Sequence, residues 1–239
     1  MVATAIFFAS VLSGMLGVGV AVLAIPILSV TDSNLVGSVQ PLALLLNGLT
    51  ALFAAIPFAY AGLVDWRKSG TLAFVMCFFA PVGALLASRV PLNLLWGFFF
   101  CAAALVLLML VRPSKRQQVI TFNQIVIASA PICLLCSMLG MGPGFILVPL
   151  MMSSGNTARQ SAAINSVAVV PSSLAAFLMH RGSGAQVSAS WGAPIIMAAC
   201  GALVGAYWST KMKGERPLKI LFGTFVLAAC AYKAVLIYR

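Results

Sequence analysis

Two stretches of this chain, Leu72 to Ala87 and Leu94 to Val111, run without one charged residue. Nothing else in the sequence constrains the fold so tightly. Across the chain 62% of residues are hydrophobic and 7% charged, with a mean hydropathy of +1.11. Soluble domains carry about 25% charged residues, and in water this chain would expose a continuous apolar surface. Lipid makes such a surface favourable, but every backbone N–H and C=O then needs an internal partner, which leaves helices or closed barrels. Barrel strands read as roughly ten-residue stretches alternating apolar and polar, and these runs do not alternate. The sequence predicts an all-α polytopic membrane protein. The chain is apolar almost from Met1, and its first basic residue is Arg67. The basic start of a signal peptide is missing, so the first segment is expected to belong to the mature fold.

The chain also reads as one motif written twice. Residues 13–28 are SGMLGVGVAVLAIPIL and residues 136–151 are CSMLGMGPGFILVPLM, so Gly17, Gly19 and Pro26 return as Gly140, Gly142 and Pro149. Gly83-Ala84-Leu85 returns as Gly201-Ala202-Leu203, and Pro91-Leu92, Leu95 and Gly97 return as Pro217-Leu218, Leu221 and Gly223. Matches in register along both halves predict a duplication: a first membrane repeat over 1–111, a basic linker over 112–120 and a second repeat over 121–239. Duplicated membrane domains are the usual architecture of secondary transporters, with the site where the repeats meet. Each half divides into four apolar segments, near 3–30, 35–60, 70–90 and 92–111, then 121–152, 160–180, 187–209 and 218–237. The opening segment of each half exceeds the roughly 20 residues of a span, and glycines divide it into half-helix lengths.

Charge discriminates between two topologies. If all eight segments span, the basic residues split eight against six. If the two glycine-broken segments are re-entrant hairpins, Arg67, Lys68, Arg112, Lys115, Arg116, Arg159, Lys211, Lys213, Arg216 and Lys219 gather on one side. The other side keeps Arg89, Arg181, Lys233 and Arg239. Ten against four obeys the positive-inside rule. The preferred model is therefore a pair of inverted repeats, each a hairpin plus three spanning helices, with both termini outside the cytoplasm.

A hairpin tip near the midplane presents the N-terminus of its second half-helix, with unpaired N–H groups and partial positive charge. Glycine lets a solute approach that backbone closely, and two facing tips would hold a small oxyanion with uncharged donors. Gly17, Gly19, Gly140, Gly142, Pro143 and Gly144 are therefore candidate substrate-binding residues, with Pro143 as a first-turn residue whose missing N–H would have been unpaired anyway. Asn47 and Thr50 in the first half, and Ser161, Asn165 and Ser166 in the second, are candidate side-chain partners. Buried amides in lipid either bond across helices or face a cavity. The competing role for each, as for Ser13 and Ser137, is close helix packing at small residues. Arg159 either attracts anions at the cytoplasmic mouth or serves as a topogenic loop charge. His180, the sole histidine, reads as a loop residue before a proton carrier.

These motifs resemble the TauE/SafE sulfite exporter family. Gly17-Val18-Gly19 to Pro26, Gly140-Met141-Gly142-Pro143-Gly144 to Pro149, and Gly62-Leu63-Val64-Asp65-Trp66 carry the likeness over nearly the whole chain. Val20 and Ala21 stand where the family pattern commonly has glycines, and Pro143 interrupts the second motif. The resemblance implies transport, usually export, of sulfite, a sulfonate, sulfoacetate or a related small anion across the bacterial inner membrane. With acidic residues only at Asp32, Asp65 and Glu215, no carboxylate falls in a span to relay protons. The expectation is a facilitated, potential-driven anion exporter. Its partners are a small anion and the lipid bilayer, not nucleic acid.

Other classes remain to be weighed. An enzyme needs converging ionisable groups or a metal, which one histidine and three loop acids do not supply. Cys133 and Cys136 share a helix face but no second thiol pair or carboxylate joins them, so all six cysteines read as helix-contact residues and no cofactor is expected. An uptake permease or a non-transporting assembly protein are the alternatives left by the sequence.

Overall fold

A computed structural model describes residues 2–30, 34–87, 89–91, 120–182 and 191–212, with scattered positions over 94–104 and 214–227. The basic linker, most of both closing segments, Asp32 and Glu215 lie outside the described residues. Among the described residues eight α-helices have defined bounds, in order α1 (Val2–Leu16), α2 (Ala21–Leu28), α3 (Gln40–Tyr60), α4 (Trp66–Leu86), α5 (Phe122–Met138), α6 (Gly144–Ser153), α7 (Ala158–Gly182) and α8 (Gly192–Lys211). A single π-helical turn, Leu35–Val39, leads into α3. Among the described residues there is no strand. Gly37–Tyr60, Trp66–Leu86, Ala158–Gly182 and Gly192–Lys211 are long and apolar enough to cross a membrane. Their outer faces are apolar too: Phe74 is 68% exposed and Ile196 63%, as a lipid-facing surface requires.

Local chemistry sets the helix starts, and two lie earlier than hydropathy alone predicts. α4 begins at Trp66 rather than near 70, because Asp65 caps it: its Oδ1 accepts from the Lys68 amide at 3.1 Å. α7 begins at Ala158 because Thr157 and Gln160 form a capping box, with the Thr157 amide donating to Gln160 Oε1 and the Gln160 amide to Thr157 Oγ1, each at 3.1 Å.

Packing interleaves the two halves. α1 lies along α8, and α5 along α4. Glycines let these backbones touch: a Cβ on Gly205 would collide with the Val11 carbonyl, one on Gly201 with Phe7, and one on Gly83 with Leu134. The offset that carries Gly17 to Gly140 also carries Val11 to Leu134. Gly83 thus meets Leu134 as Gly205 meets Val11, and Gly205 lies one turn beyond the Gly201 that sequence similarity pairs with Gly83. α5 runs parallel to α4, since Lys68 meets Phe122 near their starts and Met76 meets Cys133 further in. At the centre α3 and α7 pack in opposite directions. Asn47 meets Ser173, while Thr50, Ala51 and Ala54 face Asn165, Ser166 and Val169.

Candidate functional site where two broken helices cross

Both glycine clusters interrupt their helices. Gly17 (φ 64°), Gly19 (φ 91°) and Gly140 (φ 73°) take left-handed conformations that favour glycine. α1 stops at Leu16 and α2 starts at Ala21; α5 stops at Met138 and α6 at its far side starts at Gly144. Leaving the helix strands backbone donors. The amides of Val18, Gly19, Val20 and Gly142 make no hydrogen bond to any described group, although Val18 and Val20 are fully buried.

The two breaks meet. A Cβ on Gly144 would lie 2.7 Å from the Val18 carbonyl oxygen. Two buried asparagines lock the crossing. Asn47 Oδ1 accepts from the Ala21 amide at 3.4 Å, and its Nδ2 donates to Ser173 Oγ at 2.8 Å. Its amide is wedged between the breaks, for a Cβ on either Gly19 or Gly142 would collide with it. Asn165 Nδ2 donates to the Gly17 carbonyl at 2.6 Å, and a Cβ on Gly144 would strike the same nitrogen. Asn165 Oδ1 has no partner among the described residues.

A narrow cavity adjoins the first break. Ser13, Gly17, Gly19, Thr50, Asn165 and Ser166 form its polar wall. It is too constricted to admit a water-sized sphere. Of the residues weighed from sequence, Ser13, Gly17, Gly19, Thr50, Asn165 and Ser166 line this space. Asn47, Gly142 and Gly144 form the layer behind it, and Gly140 packs on Gln40. Pro143 occupies the N-cap of α6, one position ahead of the first turn. Ser161 and Ser137 are buried in helix contacts away from the wall.

Two side chains differ from their sequence-based roles. Arg159 does not sit free at a mouth; its guanidinium donates to the carbonyls of Met212 and Gly214, tying the start of α7 to the end of α8. His180 is not in a loop but in the last turn of α7, 5% exposed. Gln40, overlooked in the sequence, is buried and donates to the Met138 carbonyl at 3.4 Å. A glutamine opening an apolar run was the available signal. Ser173, the partner of Asn47, offered none. Cys133 donates to the Met76 carbonyl at 3.5 Å and so joins α5 to α4. Among the described residues no cluster of His, Cys, Asp or Glu could hold a metal ion.

Apolar spans with lipid-facing surfaces, enclosing a polar crossing, define a multi-pass helical membrane protein. The family model of the sulfite exporter TauE/SafE matches residues 2–233, and the chain belongs to that family. It is thereby one of a family of membrane transporters rather than enzymes. Neither a curated protein nor a solved structure gives a significant match.

Proposed function

We propose that this protein exports a small sulfur-containing anion, a sulfite, sulfonate or sulfoacetate-like solute, across the cell inner membrane, through a site between two inverted repeats. The observation that carries the reading is the convergence of both breaks on Asn47 and Asn165, with the Val18, Gly19 and Val20 amides left unpaired in the core. Unpaired amides at the start of a helix are donors for an anion that need no formal charge. Gly17, Gly19, Asn165 and Ser166 would contact the solute, with Asn47, Gly140, Gly142, Pro143 and Gly144 shaping the crossing behind them.

The inverted arrangement has independent support. Equivalent helices α3 and α7 run in opposite directions, as a two-fold axis in the membrane plane requires. α5 starts beside the start of α4, and α6 leads through four residues into α7, whose start faces the end of α3. Entry and exit on one face is what a hairpin does. The same face then carries Arg67, Lys68, Arg159 and Lys211, with exposed Tyr60, Trp66, Tyr207 and Trp208 nearby, while Arg89 and Arg181 fall opposite. That bias marks it as cytoplasmic.

Export needs no coupled ion in this scheme. Each negative charge leaving a negative-inside cell gains about 2.3 kcal/mol per 100 mV. The test is sulfite efflux from proteoliposomes under an imposed potential, with Gly142→Leu as the variant. Flux should rise with potential, and the variant should lose flux. Potential-independent flux removes the driving force proposed, full flux in the variant removes the site, and no flux through the unaltered protein leaves an assembly role in its place.

A further inference from the structure

The hydrogen bonds already made around the cavity leave one wall rich in acceptors. Thr50 Oγ1 donates its only hydrogen to the Asn47 carbonyl at 3.1 Å, and Ser166 Oγ donates its own to the Ala162 carbonyl at 2.8 Å. Both hydroxyls therefore turn lone pairs, not hydrogens, toward the space they line. Asn165 adds a third oxygen. Its amide cannot be reversed without facing the Gly17 carbonyl with another carbonyl, so Oδ1 stays an acceptor, buried and unpartnered. Such an orphan is costly where no donor reaches it. On the side of the break the sign reverses, with the unpaired amide of Gly19 and the Ser13 hydroxyl, which makes no side-chain bond among the described residues, while the unpaired amides of Val18 and Val20 flank Gly19 in the chain.

A fully deprotonated oxyanion satisfies the amides and meets the three oxygens lone pair to lone pair. A bare cation satisfies the oxygens and meets the amides. Only a solute that carries both a negative charge and a hydrogen-bond donor matches the two walls together. Building on the proposed anion site, we propose that the solute is a monoanion that keeps an O–H or N–H, such as hydrogen sulfite in its hydroxyl form or a hydroxyalkyl sulfonate, and that Asn165 Oδ1 receives that hydrogen.

The test compares ligands that differ only at the donor. The purified full chain is titrated calorimetrically with 2-hydroxyethanesulfonate, 2-methoxyethanesulfonate and ethanesulfonate, in potassium and in sodium buffers. The hydroxyl compound should bind at least tenfold more tightly than the other two in both buffers. In Asn165→Ala the ratio should fall to near one; if that variant does not fold, the three ligands on the unaltered chain still decide. Equal binding of all three overturns the donor requirement while leaving the anion site standing. A tenfold preference that survives in folded Asn165→Ala overturns the role of Asn165. Donor-free ligands that match the hydroxyl compound only in sodium would put a cation against the acceptor wall, and overturn the proposal likewise. Binding of none of these sulfonates, nor of sulfite, would instead sink the anion-site reading beneath it.

Discussion

Asn47 and Ser173 face each other across the centre of the molecule, the amide nitrogen of one donating to the hydroxyl of the other at 2.8 Å. The bond ties α3 of the first half to α7 of the second. With its other end Asn47 holds the first amide of α2, so one side chain connects three helices. In lipid these groups have no water to fall back on. Asn47→Ala should destabilise the fold by about 1–3 kcal/mol, because it orphans both the Ala21 amide and the Ser173 hydroxyl. Ser173→Ala should cost less, and the pair should couple by about 0.5–3 kcal/mol in a double-mutant cycle read by unfolding. Additive losses would show the contact to be energetically idle.

Glycine substitutions should divide by what a methyl group meets. At Gly19 the backbone is left-handed, and a Cβ would collide with Asn47 Oδ1. Gly19→Ala is expected to abolish sulfite flux in proteoliposomes while the helix content seen by circular dichroism stays. Gly70 lies inside α4 with nothing within 4 Å of an added Cβ. Gly70→Ala should leave flux unchanged and add about 1 kcal/mol of stability from helix propensity. Equal behaviour of the two variants would refute the crossing as the seat of function.

Arg159 acts on the carbonyl end of α8, where cations are favoured and charged hydrogen bonds are worth about 1.5–3 kcal/mol. Arg159→Ala should lower the unfolding temperature, and Arg159→Lys should restore only part of it, since the shorter, strongly hydrated ammonium replaces a guanidinium whose one terminal nitrogen reaches both carbonyls. If Arg159→Ala alters anion affinity without altering stability, the residue belongs to the transport path instead.

The cap of α4 gives a pH dependence. The Lys68 amide, against a partial opposing effect of burial, holds the Asp65 carboxyl below its ordinary value of 3.8, and Lys68 Nζ adds an ion pair at 3.3 Å. A depressed pKa stabilises the fold above the unfolded-state value, and that contribution fades as pH falls through the folded-state value. Asp65→Ala should therefore cost about 1 kcal/mol at neutral pH, with the gap to the parent narrowing below pH 4. Asp65→Asn, which still caps, should lose less at neutral pH, and its smaller gap to the parent should shift by the same amount over the same range, because the pH dependence belongs to the parent's carboxyl. Thermal unfolding of the three proteins across pH 3–7 is the check.

Much of this architecture was legible before any coordinates. Composition forced helices in lipid, and the left-handed breaks fall at the glycines that the sequence duplicates, because backbone conformation there is a local property. Asn47, Asn165 and Ser166 were also readable, since a polar residue in an apolar run must find a partner or a cavity. Helix starts at Trp66 and Ala158 were misjudged by hydropathy, because caps work through single hydrogen bonds that an averaged window smooths away.

What the chain's order alone determined was its solvent, its helices and where two of them must break. What only the tertiary structure decided was who meets whom: Asn47 with Ser173, Asn165 with Gly17, Gln40 with Met138 and Arg159 with the end of α8. The first three partners lie 126, 148 and 98 residues apart in sequence. No local rule links residues so distant. Their pairing follows from how the interleaved helices bring buried donors and acceptors together in a medium that offers no other partner.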